Sequence, residues 1–554
     1  MRYYILSFLV LFFGQRLLAQ PSAVKNAGKA VFTLTTFKAD GSLLGSSHGV
    51  FIDNEGHGVS DWTPFAGADH AVVVDASGKK MDVVSITGAN DLYDIVLFEV
   101  AGKTTGATPA NGQVTKGNKV WLMNYGKGGG TPLEMTVESV EKFADKYFYY
   151  ILSGDAPDNA VSCPFINSNG MVIGLMQRAT TTNAIHATDV RFAADFKPTG
   201  LTVSDPLLRK TSIPVTLPKD KDQALLSMML STQQNDSARY MKTVALFTRH
   251  FPNATEGYAA QAQAESAKGD YAAAARIMES CIKNATDKSE AHYEYARLIY
   301  QKEVYHADAP YAEWNLDKAM EEAQEAYRIK PLPLYQHLQA QITFMQGNHQ
   351  QAYDQFMTLT GTELRNPELY YEAAQCKQQL QAPQEEILAL LDSAVANCRE
   401  PLGPESAPYF LARGTALDQA GQYRKAVADY NQYDSLYVGL LSAEFFYQRE
   451  QCEVKARMYQ QALDDIARAV YMSQGDPMLI AEMASLQIRL NLNDDALKTS
   501  ELCIKIAPEY DEGYLLNGLA LIQSGKKKEG LEALQKAKDM GNEQAGELIE
   551  KYKH

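Results

Sequence analysis

The sequence is poor in cysteine, with six in 554 residues. Cys163, Cys281, Cys376, Cys398, Cys452 and Cys503 are widely scattered, with no CxxC pair and no metal-ligand spacing. Neither a disulfide framework nor a metal site is therefore expected. Cys376 and Cys398 are spaced to meet across one helical hairpin; the competing reading makes most of the six small buried residues of helix packing. Positive charge is also short. Against 67 Asp and Glu stand 52 Lys and Arg, a formal net charge of −15. That balance disfavours a dedicated nucleic-acid binder, because neutralising phosphates needs a concentrated basic surface. After the first twenty residues no apolar run approaches bilayer length, so no integral membrane segment is expected in the mature chain. Apolar residues make up 45% and charged residues 21%, which excludes disordered and collagen-like chains. The length predicts about three to four domain-sized units, or fewer units plus a repeat array.

Met1-Arg2 precedes an almost unbroken apolar run over 3–13, and Leu17-Leu18-Ala19 places a small residue before Gln20. The pattern reads as a signal peptide over 1–19, its apolar stretch too short to anchor across a bilayer. Removing Arg2 and Arg16 takes the formal charge from −15 to −17. No Cys stands at the expected mature terminus, so no lipid anchor is expected there. The expected location is exported: periplasmic, or extracellular and outer-membrane-associated, in a bacterium.

From 24 to 200 the chain alternates short β-type runs with turn residues. Such runs are 30–37, 48–52, 71–74, 94–100, 119–125, 147–152, 171–176 and 190–193. Asp40-Gly41, Ser77-Gly78 and Asn169-Gly170 stand between them and supply the positive φ that turns need. Strands at this spacing, without helical patterns between, predict an all-β barrel or sandwich. Residues 201–222 contain Pro and Lys without periodicity and read as a linker.

From 223 to 554 the period changes. Gly269-Asp270-Tyr271 precedes Ala274, Gly421-Gln422-Tyr423 precedes Ala426, Arg457-Met458-Tyr459 precedes Ala462, and Asn493-Asp494-Asp495 precedes Ala496. A bulky residue precedes a small one in the first helix of each unit, as in Phe410 with Gly414 and Tyr514 with Gly518. Gly or Ala permits close approach of two helices while the ring fills the groove beside it. No such pair buries its faces alone, so the units must stack. This recurrence closely resembles tetratricopeptide repeats, seven to eight helix pairs with an insertion around 303–315 and a capping helix over 540–552. In that reading Tyr271, Tyr423 and Tyr459 pack within their repeats, and Arg413, Arg449 and Asn517 are exposed first-helix positions lining a partner-binding groove.

The β half carries a second resemblance. Residues 45–52, Gly-Ser-Ser-His-Gly-Val-Phe-Ile, then 58–68, then 91–100, then 164–174 follow the order of landmarks in an HtrA-type trypsin-like peptidase. The resemblance implies a double β-barrel. The fold expected for the whole chain is therefore multidomain, an all-β trypsin-like double β-barrel followed by an all-α tetratricopeptide-repeat superhelix. Carried over by position, the family's catalytic Asp falls on Asp94. Its His falls on Thr63, which is no base near neutral pH. Its nucleophilic Ser falls on Val161, and the glycines that shape the oxyanion hole become Asn159, Ser162 and Cys163. The resemblance thus implies a pseudopeptidase, without cofactor. Ser162, Cys163 and His48 are the candidates for a rearranged active site, and His57, His70 and His186 are the other histidines of this half.

Other motifs add little. Gly126-Lys127-Gly128-Gly129-Gly130 lacks the Gly-Lys-Ser/Thr of a phosphate loop, and Lys526-Lys527-Lys528 reads as a solvated turn. The expected function is an exported non-catalytic scaffold binding protein or peptide partners. The alternatives are a secreted trypsin-like serine endopeptidase with a repeat-based recruiting arm, and a peptide-binding module that uses the dead cleft. Partner identity and oligomeric state are not legible.

Overall fold

A computed structural model describes residues 21–178, 184–234 and 236–553. The stretch read as a signal peptide lies outside the described residues. After the short helix α1 (Ser22–Ala27), twelve strands follow among the described residues: β1 (Val31–Phe37), β2 (Leu43–Phe51), β3 (His57–Ser60), β4 (His70–Asp75), β5 (Lys80–Asn90), β6 (Ile95–Val100), β7 (Lys119–Met123), β8 (Pro132–Phe143), β9 (Tyr147–Ser153), β10 (Pro164–Ile166), β11 (Val172–Arg178) and β12 (Ile185–Asp189). They close into two six-stranded antiparallel barrels, ordered β1-β2-β3-β6-β5-β4 and β10-β11-β12-β9-β8-β7.

Strand alternation explains both cores. In β1, Phe32 and Leu34 point into the first barrel while Val31 points at the second. In β6, Val96, Phe98 and Val100 point inward while Ile95 and Leu97 join the layer between barrels. The second barrel matches this, with Val120 and Leu122 inside, and Trp121 and Met123 in the shared layer. Gly49 and Gly58 are required by this packing: a Cβ at either would stand under 3.0 Å from the rings of Phe32 and Phe98 respectively. Each large side chain buried here contributes about 1.5–3 kcal/mol.

Two expectations for this half change. The run 190–193 is a helix, α2 (Val190–Ala194), and not a strand: the Asp189 carboxylate accepts from the Arg191 amide and starts it. A short apolar run carries no period that separates strand from helix. The stretch 201–222 is not a free linker. Leu208, Ile213 and Val215 complete the first barrel's core, and Val215 pairs in parallel with Ile86. The Ile86 amide donates to the Pro214 carbonyl and the Thr216 amide to the Ile86 carbonyl, each at 2.9 Å. This strap has no alternation because only a few of its residues enter the sheet.

The remainder is helical: α3 (Lys221–Ser231), α4 (Ser237–His250), α5 (Thr255–Ala267), α6 (Tyr271–Asn284), α7 (Lys288–Tyr305), α8 (Leu316–Ile329), α9 (Pro333–Met345), α10 (His349–Leu359), α11 (Pro367–Gln379) and α12 (Gln384–Ala396). Then come α13 (Ala407–Gln419), α14 (Tyr423–Leu436), α15 (Ala443–Lys455), α16 (Tyr459–Met472), α17 (Pro477–Arg489), α18 (Asn493–Ile506), α19 (Asp511–Gln523), α20 (Lys527–Asp539) and α21 (Glu543–Lys553). Contacts divide the chain into two compact units, meeting between Ala291 and His292 within α7.

The helices form an all-α repeat array. The second residue past α5, α9, α11, α13, α15, α17 and α19 takes a left-handed conformation, at Gly269, Gly347, Gln381, Gly421, Arg457, Asn491 and Gly525, the position where a helix C-terminus favours glycine. Seven residues before six of these seven stands the small residue predicted for close helix approach: Ala262, Ala340, Ala374, Gly414, Ala484 and Gly518. A Cβ on Gly518 would stand 2.9 Å from the Gly530 carbonyl oxygen, so α19 and α20 meet almost backbone to backbone. The insertion lengthens α7 and adds a loop pinned by buried Trp314, whose indole donates to the Tyr295 hydroxyl at 3.2 Å. Cys376 is buried on α11 and Cys398 lies past α12; no disulfide joins them.

Candidate functional site

The cleft side of the barrels collects the residues that the sequence placed there. After β3, Trp62 and Phe65 are buried in the first barrel and hold a short 3-10 turn (Thr63–Phe65) between them. Asp94, at φ +44°, forms the tight approach to β6. These two turns meet. The Thr63 amide and hydroxyl both donate to one Asp94 carboxylate oxygen, at 2.8 and 2.9 Å. Thr63 is therefore a donor already committed to the Asp94 carboxylate.

The β9–β10 loop supplies the rest. Val161, onto which the resemblance carried the nucleophile, is about a third exposed and has a hydrocarbon side chain. Ser162 sits in the left-handed region at φ +64°, its amide donates to the Met176 carbonyl at 2.8 Å, and its side chain is buried. Its hydroxyl is hydrogen-bonded to Asp61. Cys163 is fully buried, and burial pushes its thiol up to about 12, the opposite of what a thiolate nucleophile needs. His48 stacks on Tyr125, ring centroids 6.0 Å apart, and reaches the main chain of Asn159. Burial lowers its pKa, and its Nδ1 is buried without a hydrogen-bond partner among the described residues.

The other histidines are held elsewhere. His57 meets Asp53 at 2.5 Å, His70 stacks on Phe37 with centroids 4.9 Å apart, and His186 stacks on Tyr149 with centroids 5.2 Å apart.

Asp61 is the residue that motif reading passed over. It accepts from the Ser47 and Ser60 hydroxyls as well as from Ser162. Burial, with the nearby Asp94 charge, raises its pKa above the usual carboxylate range. Ser47 and Ser60 lie on neighbouring strands, so three hydroxyls converging on one carboxylate are visible only once β2 and β3 pair.

In the array, the residues predicted to line a groove are engaged in packing. Arg449 is buried: Nε and Nη2 grip Asp465 at 2.5 and 3.0 Å, and Nη1 reaches Asp434 at 2.9 Å. Arg413 is half-buried in a like pair with Asp429, at 2.7 and 2.8 Å, with Asp392 at 3.0 Å. Asn517 is buried and donates to Ser500 at 3.2 Å. None of the three is an exposed groove position. The recurring spacing of 16 residues in Arg413–Asp429 and Arg449–Asp465 is the sequence signal that they brace first helix to second.

One repeat breaks the small-residue rule. Glu450 stands where the others have Ala or Gly, fully buried, with Glu453 one turn on at 2% exposure. One oxygen of each has no hydrogen-bond partner among the described residues. Burial pushes Glu450 up to about 7 and Glu453 up to about 8, helped by Glu482 and Asp465 respectively. Among the described residues no His/Cys/Asp/Glu cluster has the geometry to hold a metal ion.

No protein-family description matches the chain, and no curated protein does. Among solved structures it resembles the HtrA-type protease AlgW solved with a tripeptide, at 17% identity and a TM-score of 0.27. The match covers 31% of this chain and 60% of that one, under two thirds of its length. At these values it carries no argument. The fold statement rests on the strands themselves: two closed six-stranded antiparallel barrels of the trypsin-like kind, followed by an all-α repeat array. Among the described residues no helix is long and apolar enough to cross a membrane.

Proposed function

We propose that the chain is an exported, non-catalytic adaptor, a pseudopeptidase barrel pair joined to tetratricopeptide-type repeats that bind protein or peptide partners. The observation that carries this reading is the Thr63–Asp94 contact: the one triad-like residue present receives its hydrogen bonds from a threonine where the resembled family places its histidine. Two features of the hydroxyl at 162 support it. Ser162 is buried, and its hydroxyl is engaged with Asp61, itself shared with two other serines. Cys163 is equally out of reach. The repeats supply the second half of the proposal, because stacked helix pairs leave an extended face formed by their first helices. The export pattern at 1–19 supports an exported adaptor, periplasmic or extracellular and outer-membrane-associated.

The test is labelling of the folded full chain with a fluorophosphonate probe. No labelling is expected. Labelling that disappears in Ser162→Ala would establish a serine endopeptidase in its place. Cross-linking in the native envelope fraction should then recover protein partners, with cross-links on the repeats.

A further inference from the structure

We propose that the face formed by α7, α9, α11 and α13 docks an extended partner segment through a lysine or arginine side chain, held by Glu368 among the rings of Tyr300, Tyr371 and Tyr409. This rests on the adaptor reading above and adds the chemistry of the partner. All four helices lie in the second compact unit, except the first residues of α7.

Glu368 stands in the first turn of α11 and is exposed. Among the described residues it makes no ion pair. Arg365, three residues before it, donates through Nε to Asn397 at 3.1 Å and lies over the Tyr370 ring, and Arg413 on α13 is held by Asp429 and Asp392. One turn along, Glu372 accepts from Gln341 at 2.7 Å and meets His337 Nε2 at 2.5 Å. His337 therefore serves Glu372 and leaves Glu368 without a counter-charge of its own.

Aromatic rings flank that carboxylate. Tyr371 and Tyr409 meet edge to face with centroids 5.7 Å apart. The field of Glu368 and Glu372 reaches the hydroxyls of Tyr300 on α7 and Tyr409 on α13. Side chains from three first helices thus converge around unneutralised negative charge. An apolar occupant would desolvate Glu368 without pairing it, which is costly, and an acidic occupant would be repelled. A cationic side chain gains a charge-assisted bond to the carboxylate and a ring face beside it.

The experiment selects random short displayed peptides on the immobilised full-length chain and compares Glu368→Gln, which is isosteric and exposed, with Glu547→Gln on α21 as control. Unchanged melting temperatures establish that both variants fold. The expected result is enrichment of Lys and Arg by about tenfold over input for the parent and control, falling about fivefold or more in E368Q. Retained peptides without that enrichment, or enrichment indifferent to E368Q, would overturn the cradle and leave the adaptor reading standing. Retention of maltoheptaose in place of peptides would assign the rings to sugar stacking and also overturn it. If no peptide is retained and no envelope protein cross-links to the repeats, both readings fall.

Discussion

In the first barrel, a carboxylate removed from water is met by hydroxyls from three places: Ser47 on β2, Ser60 on β3 and Ser162 on the β9–β10 loop all turn to Asp61. In the array, Glu450 and Glu453 lie side by side on one helix, and each keeps an oxygen with no donor among the described residues. Both regions therefore hold carboxyls above their ordinary range by burial. They differ in what surrounds the group. A closed barrel brings distant segments to one point, so neutral donors can be gathered around an acid. A helical repeat offers only its two neighbours, so an acid there is held by a side chain of an adjacent helix, as Asp465 is by Arg449 and Glu372 by His337 and Gln341, or left to hold its proton. The lesson is that long-range strand pairing can satisfy polar groups by convergence, whereas a repeat satisfies them by duplication of one local pair.

This contrast can be broken at several points. The largest effect is expected at the duplicated pair. Asp465→Ala leaves buried Arg449 without its bidentate partner and should destabilise the array by about 3–5 kcal/mol in denaturant titration. The matching change at Asp429, itself buried but paired with the partly exposed Arg413, should cost less, because water reaches the arginine it would strand. A loss at Asp465 no larger than at Asp429 would show that burial does not separate the two pairs.

The next effect is pH dependence. Glu450 and Glu453 have folded pKa values raised above the ordinary 4.5. The stability they allow is fully present below about pH 4.5 and is lost as pH rises through about 7 and about 8. Glu450 is faced by Gln451, Glu482, Arg489 and Asp465, and Glu453 by Asp465, Arg449, Asp464 and Glu450. The melting temperature of the array should fall between pH 5 and 8.5. The double variant Glu450→Gln, Glu453→Gln should flatten that slope. An unchanged slope would assign the pH dependence to other groups.

A smaller loss is expected in the barrel. Asp61→Ala removes the acceptor of Ser47 and Ser162, while Ser60 keeps the His48 carbonyl, and should cost about 1–3 kcal/mol in the barrel transition, read by calorimetry. The smallest effect carries the opposite sign. Arg457 holds a left-handed conformation at φ +59° where the preceding repeat uses Gly421, so Arg457→Gly should stabilise the array by about 1 kcal/mol.

Much of the architecture was legible in one dimension. Alternation in 30–37 and 94–100 announced strands, and the recurring small residue at 414 and 518 announced close helix pairs. The same rule exposes Glu450 as an exception, although only alignment of every unit on its left-handed turn makes that visible. The positions Thr63, Asp94 and Val161 were named from motif order, yet the hydrogen bonds joining Thr63 to Asp94 depend on two turns 31 residues apart. Asp61 could not be singled out, because its partners are scattered over residues 47 to 162. Arg413, Arg449 and Asn517 were misread as surface positions because a first-helix Arg looks the same in sequence whether it faces solvent or an Asp on the following helix.

Period and composition sufficed for the class of each half, since a two-residue or a repeat period records which face of an element must leave water. Which polar groups meet, and which stay unpaired, was left to the packed fold. Those outcomes depend on distances between segments far apart in the chain, and no local pattern encodes them. That is why the barrels and repeats could be anticipated from the residues, while the serine-lined Asp61, the 201–222 strap and the buried acids of α15 emerged only with the elements in contact.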